Sequence, residues 1–108
     1  MALDKAPALE ALQLSEPELD DLLREFVELA KVEVDSIRGR LDGKRFDGLD
    51  RRAHSIRGMA ANLRLDLCRN RASRLEAALT SHDANRAAEA MLFLEQAIDE
   101  VRSASLRV

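Results

Sequence analysis

Apolar residues fall at helical spacing in four successive stretches of the chain. The first opens at Ser15-Glu16-Pro17-Glu18, where a hydroxyl at the N-cap, a Glu three residues on and a Pro in the first turn form a capping box. From there Leu19, Leu23, Phe26, Ala30, Val34, Ile37 and Leu41 recur at spacings of three and four, until Asp42-Gly43-Lys44 breaks the run. A second stripe holds Phe46, Leu49, Ala53, Ile56, Ala60 and Leu63. A third holds Leu65, Cys68, Ala72, Leu75 and Leu79 and stops at Thr80-Ser81-His82-Asp83. The fourth runs Ala84, Ala87, Met91, Leu94, Ile98, Val101 and Ser105. Amphipathic segments with connections this short predict an all-α fold, an antiparallel four-helix bundle over about residues 16–105, since short loops join neighbours that point opposite ways.

The first long segment is apolar beyond its stripe, at Leu22, Val27, Leu29 and Val32. Ala6 to Leu12 can form a short helix whose Leu9 and Leu12 lie over this surplus, which makes residues 1–14 a covering segment. A dimer interface would use the same surplus, and the pattern leaves the two open. The reading carried forward is a monomer in which residues 1–108 form a single domain.

Composition narrows the class further. Eighteen Leu and seventeen Ala stand against eight Val plus Ile, with no Tyr or Trp and only four Gly and two Pro, which excludes an all-β fold. One cysteine, Cys68, sits in a core slot of the third stripe, where a buried, unreactive thiol is expected. No Cys/His cluster has metal-ligand spacing, so no metal is expected, and no apolar run is long enough for a membrane span. Asp4, Lys5, Pro7 and Glu10 interrupt the stretch a signal peptide would need, and a cytoplasmic protein is expected.

The formal charge of −3 conceals a segregation. Residues 1–43 carry a net −6 and residues 75–108 a net −3, while residues 44–74 carry a net +6 from Lys44, Arg45, Arg51, Arg52, Arg57, Arg64, Arg69, Arg71 and Arg74. A cationic island in an acidic chain attracts an anionic partner.

His54 follows the core residue Ala53, which puts the imidazole about 100° round the helix, at the edge of the buried seam and half in water. Gly58 lies one turn later. A glycine inside a helix costs about 1 kcal/mol relative to alanine, so it has a packing or an access role, and here it opens space beside the imidazole. Arg57 places a cation within reach of any group attached to the ring. Together they suit a phosphoryl acceptor. The attacking nitrogen must be unprotonated, as an ordinary imidazole mostly is at neutral pH, and the charge of the transferred group needs electrostatic stabilisation, which Arg57 can supply.

The stretch Ala53-His54-Ser55-Ile56-Arg57-Gly58-Met59-Ala60-Ala61-Asn62-Leu63 resembles the signature of histidine-containing phosphotransfer domains, and Leu75-Glu76 and Phe26 also match. The resemblance covers about Leu19 to Val101. It implies that His54 accepts a phosphoryl group from a receiver-domain aspartate and passes it to another receiver. Arg57 would stand for the family's usual lysine and Gly58 for its glycine. The implied partners are receiver domains of response regulators or hybrid histidine kinases. A phosphocarrier of this kind is not an enzyme: it has no kinase activity and no cofactor, and Mg2+ is expected on the partner receiver. The family usually closes the histidine helix with Gly where this chain has Arg64, so the turn there is expected to be built differently. Met59 stands where a small residue is usual, which would add bulk beside the site.

Arg51, Ala61, Arg71 and Arg74 are the candidate partner-binding residues. A hairpin turning near Arg64 would bring Arg74 level with His54. Two other functions compete: a non-catalytic helical-bundle adaptor, and a nucleic-acid-binding bundle using residues 44–74. Against nucleic acid, the whole chain is acidic and Phe46 is the sole aromatic side chain in the island. His82 is expected to be a solvated loop residue and Asp83 a helix cap. The glycines, Gly39, Gly43, Gly48 and Gly58, form no phosphate-cradling loop, so the group must come from a partner and not directly from ATP.

Overall fold

The computed structural model describes residues 3–106, and helices are the only regular elements among them. They are α1 (Ala6–Leu12), α2 (Glu16–Asp42), α3 (Leu49–Asn62), α4 (Asp66–Thr80) and α5 (Ala84–Ser105). Helix α2 begins where the capping box requires. Ser15 Oγ accepts from the Glu18 amide at 3.3 Å, and Glu18 Oε1 accepts from the Ser15 amide at 3.0 Å. Hydrogen bonding from Ser15 to the carboxylate, its amide above all, holds the Glu18 carboxyl below the usual carboxylate range. Asp83 caps α5 by accepting from the Arg86 amide at 3.0 Å. No side chain caps α3. Its N-cap is Gly48, at φ +76°, a left-handed conformation that glycine adopts without a Cβ clash.

Helices α2, α3 and α4 end in the same way. The residue at C′ turns left-handed in each case: Lys44 at φ 56°, Arg64 at 59° and His82 at 53°. After α3, Arg64 N–H donates to Ala61 O at 3.1 Å and Leu65 N–H to Ala60 O at 2.8 Å, the paired bonds of a Schellman motif. Corresponding pairs follow α2 and α4. The turn after Arg64 is thus not built differently, as the sequence led us to expect. The unpaired carbonyls at the helix end demand the glycine-type closure, and Arg64 adopts it.

Helix α2 packs on α3 and α5, and α4 packs on the same two, giving a helical bundle. The buried stripes form its core: Leu19, Leu23, Ala30 and Ile37 from α2, Leu49, Ala53, Ile56 and Ala60 from α3, Cys68, Ala72 and Leu75 from α4, and Leu94 from α5 are almost wholly excluded from solvent. Phe46 precedes α3 and is only half-buried, so its stripe starts at Leu49. Its ring stacks on His82, with centroids 4.7 Å apart. His82 is exposed, yet it is not simply solvated: the α2–α3 and α4–α5 connections lie side by side, and the two rings meet there.

Helix α1 exists as expected, and Leu9 and Leu12 pack against the core, but it covers less than the surplus on α2. Val27 is buried, whereas Leu22, Leu29 and Val32 remain exposed. Lys5 holds the short helix at the start of α2, its Nζ 2.8 Å from the buried carboxylate of Asp20 and 3.2 Å from Glu16. The Asp20 carboxylate accordingly raises the pKa of the Lys5 ammonium. Seven helical residues span roughly 10 Å, too short to run from Glu16 past Leu29. Among the described residues no helix is long and apolar enough to cross a membrane.

Candidate functional site

Four buried residues, Leu49, Ala53, Ile56 and Ala60, fix the rotation of α3 about its axis. His54 follows Ala53 and is therefore turned out of the core. Its side chain is 60% exposed, more than an edge-of-seam position suggested, because Glu76 of α4 meets the ring from its flank and does not cover it. Glu76 Oε2 lies 3.2 Å from His54 Nδ1. Arg57, one turn along α3, brings Nη2 to 2.6 Å from the same nitrogen, and its Nε lies 3.2 Å from Glu76 Oε1. Imidazole, guanidinium and carboxylate thus close a three-way cluster on the surface between α3 and α4.

The outer nitrogen, Nε2, has no hydrogen-bond partner among the described residues. The space beside Gly58 is open. A Cβ placed on Gly58 would meet nothing within 4 Å, so close packing does not require this glycine. Met59 is partly buried against the core, and its position lies about 140° round α3 from His54, which points its bulk away from the imidazole. Arg51 is exposed one turn before His54, and Ala61 is half-buried two turns after it, along the same side of α3.

Arg71 and Arg74 belong elsewhere. Arg71 Nη1 donates to the Phe93 carbonyl of α5 at 2.6 Å. Arg74 lines the groove between α4 and α5 with Ala77, Ala78 and Phe93. The α4 residue that reaches His54 is Glu76, and Arg74, two residues earlier, lies about 200° round the helix from it. The island therefore does not form one surface. Arg52 is also drawn away, paired with Glu33 of α2 at 3.1 Å.

Glu76 is the site residue that sequence reasoning missed, having noticed it only as part of the Leu75-Glu76 match. A signal was there: Glu76 follows the buried Leu75 just as His54 follows the buried Ala53. Burial pushes the Cys68 thiol up to about 12, which makes it unreactive when folded. Among the described residues no group of three or more His, Cys, Asp or Glu side chains could hold a metal ion.

The family model for the Hpt domain matches residues 21–104. No curated protein and no solved structure gives a match.

Proposed function

The chain belongs to the Hpt domain family, and from that premise we propose that it is a histidine phosphotransfer protein of a two-component phosphorelay, with His54 as the phosphoacceptor. The family's role is phosphotransfer within phosphorelays. The observation that carries the reading for this chain is the cluster on α3 and α4: an exposed imidazole, oriented through Nδ1, with a cation beside it, an outer nitrogen that no described residue bonds, and open space at Gly58 one turn on.

The chemistry follows from what each group can donate or accept. Glu76 can only accept and Arg57 only donate, yet both address Nδ1. With its proton on Nδ1, the ring donates to Glu76 and keeps a lone pair on Nε2. Arg57 donating into Nδ1 selects the other tautomer, with Nε2 protonated. Attack through Nε2 therefore requires Arg57 to leave Nδ1, and an incoming phosphoryl group is the anion that draws it away. The Nε2 lone pair then forms the N–P bond as the P–O bond to the receiver's aspartate breaks and the carboxylate departs. Arg57 balances the phosphoryl oxygens and Glu76 holds the imidazolium through Nδ1–H. Transfer to the next receiver runs the same steps in reverse.

In this reading the fold is an antiparallel four-helix bundle with α1 as its cover, a single domain over 1–108 acting as a cytoplasmic monomer. The Arg52–Glu33 pair sets Leu29 and Val32 of α2, both exposed, at about the height of His54 along the bundle. With Arg51 and Ala61 they suit docking of a receiver, whose own phosphorylation site would carry the Mg2+. The protein is a phosphocarrier without kinase activity or a cofactor of its own.

Stopped-flow transfer from a phosphorylated receiver, over a concentration series at two salt levels, tests the roles. Arg57→Ala and Glu76→Gln should lower the saturated rate, while Arg51→Ala should weaken binding and flatten its salt dependence. If all three act on binding alone, the cluster has no chemical role and the reading fails.

A further inference from the structure

The groove between α4 and α5 combines features that neither the fold nor the His54 cluster uses. Arg71, Arg74 and Arg86 line it, with Phe93 and Ala90. Elsewhere Arg24, Arg38, Arg52, Arg57, Arg69 and Arg102 each have a carboxylate within 4 Å. Among the described residues Arg40, Arg45, Arg51 and Arg64 have none, but they do not share a groove with an exposed aromatic ring. Arg71, Arg74 and Arg86 have none among the described residues. Among the described residues that line the groove, Glu89 is the one acidic side chain. Three like charges against one carboxylate leave a local positive field over an apolar floor.

Phe93 is 45% exposed, and it is held in place. Arg71 spans from α4 to the Phe93 carbonyl, and its guanidinium carbon stands 5.8 Å from the ring centroid. Ala77, Ala78 and Ala90 keep the floor low, so that a partner backbone can approach closely. A fixed aromatic anchor, a floor of small residues and a rim of unpaired guanidiniums match the helix-in-groove mode of recognition. Single-stranded nucleic acid would call for a series of stacking rings along the cationic track, and this groove offers one.

We propose that the α4–α5 groove is a docking site for an acidic amphipathic helix, which places an apolar side chain against Phe93 and Ala90 and its carboxylates against Arg71, Arg74 and Arg86. The site is separate from the phosphoryl cluster, since Arg74 and Glu76 face opposite sides of α4. It does not depend on the phosphotransfer reading.

The probe is a fluorescein-labelled peptide of about four helical turns, with Leu and Phe along one face and Glu on its flanks, titrated with the full chain and followed by anisotropy. Saturable binding is expected, weakening as salt rises. Arg74→Glu, Arg86→Glu and Phe93→Ser should each weaken it by about tenfold or more, with circular dichroism confirming that these surface variants remain folded. His54→Gln and Arg51→Glu should leave it unchanged. A peptide with Lys in place of Glu should not bind. The proposal is overturned if no saturable binding occurs, if Arg74→Glu and Arg86→Glu bind like wild type, if Arg51→Glu abolishes binding, or if an oligothymidylate competes as well as the acidic peptide.

Discussion

Replacing Gly58 by Ala separates two reasons for a glycine inside a helix. The residue lies in the body of α3, outside the left-handed region, so an L side chain fits the backbone. Its added Cβ would touch nothing within 4 Å, so no steric cost offsets the gain in helix propensity. The substitution should then stabilise the protein by about 0.5–1 kcal/mol. For a domain of this size that raises Tm by roughly 2–6 °C. Under the proposed function, transfer from a phosphorylated receiver should nonetheless slow, because the methyl would occupy surface over which the partner approaches Nε2. Gly58→Val should slow it further while leaving stability near wild type. Thermal unfolding and transfer kinetics on the same preparations make the comparison. A fall in Tm for Gly58→Ala would show that the space is not open. Wild-type transfer by Gly58→Val would show that access is not the glycine's role.

Other outcomes follow from the same geometry. Arg64→Gly relieves a left-handed non-glycine residue at the close of α3 and should raise the unfolding free energy by up to about 1 kcal/mol, read from urea midpoints. The Cys68 thiol is pushed from 9.0 to about 12 in the folded protein, so its contribution is complete below pH 9 and is lost as pH rises from there, when the unfolded chain releases the proton and the folded one keeps it. Cys68→Ala should flatten the decline in stability between about pH 9 and pH 10.5, and alkylation of native Cys68 should proceed only through unfolding. Asp20→Ala removes the carboxylate that holds Lys5, so protease cleavage ahead of Ser15 should accelerate while labelling of the protein by a receiver is unchanged.

Much of the fold was legible because burial leaves a periodic record along the chain. Every member of the α2 stripe from Leu19 to Leu41 is buried, and so is every member of the α4 stripe. His54, Arg57 and Gly58 could be found for a similar reason: their spacing on one helix sets their common side. Glu76 was harder, since its contact with His54 depends on how two helices are rotated against each other, and no local pattern records that. Charge counting revealed the island but not its faces. It grouped Arg74 with His54, although packing turns Arg74 toward α5. The closure at Arg64 was misjudged because residue preference was weighed above the carbonyls that a helix end must satisfy. The stacking of Phe46 on His82 joins two connections distant in sequence, and neither carries a sign of the other.

The identity of the phosphoacceptor is tested most directly by labelling. The wild-type chain and its His54→Gln and His82→Gln variants are incubated with a receiver carrying labelled aspartyl phosphate, and the label on this protein is counted after acid and after base treatment. Label that is lost in acid, survives base, persists in His82→Gln and disappears in a folded His54→Gln variant is the predicted result. Label retained by His54→Gln, or stable to acid, would contradict the account.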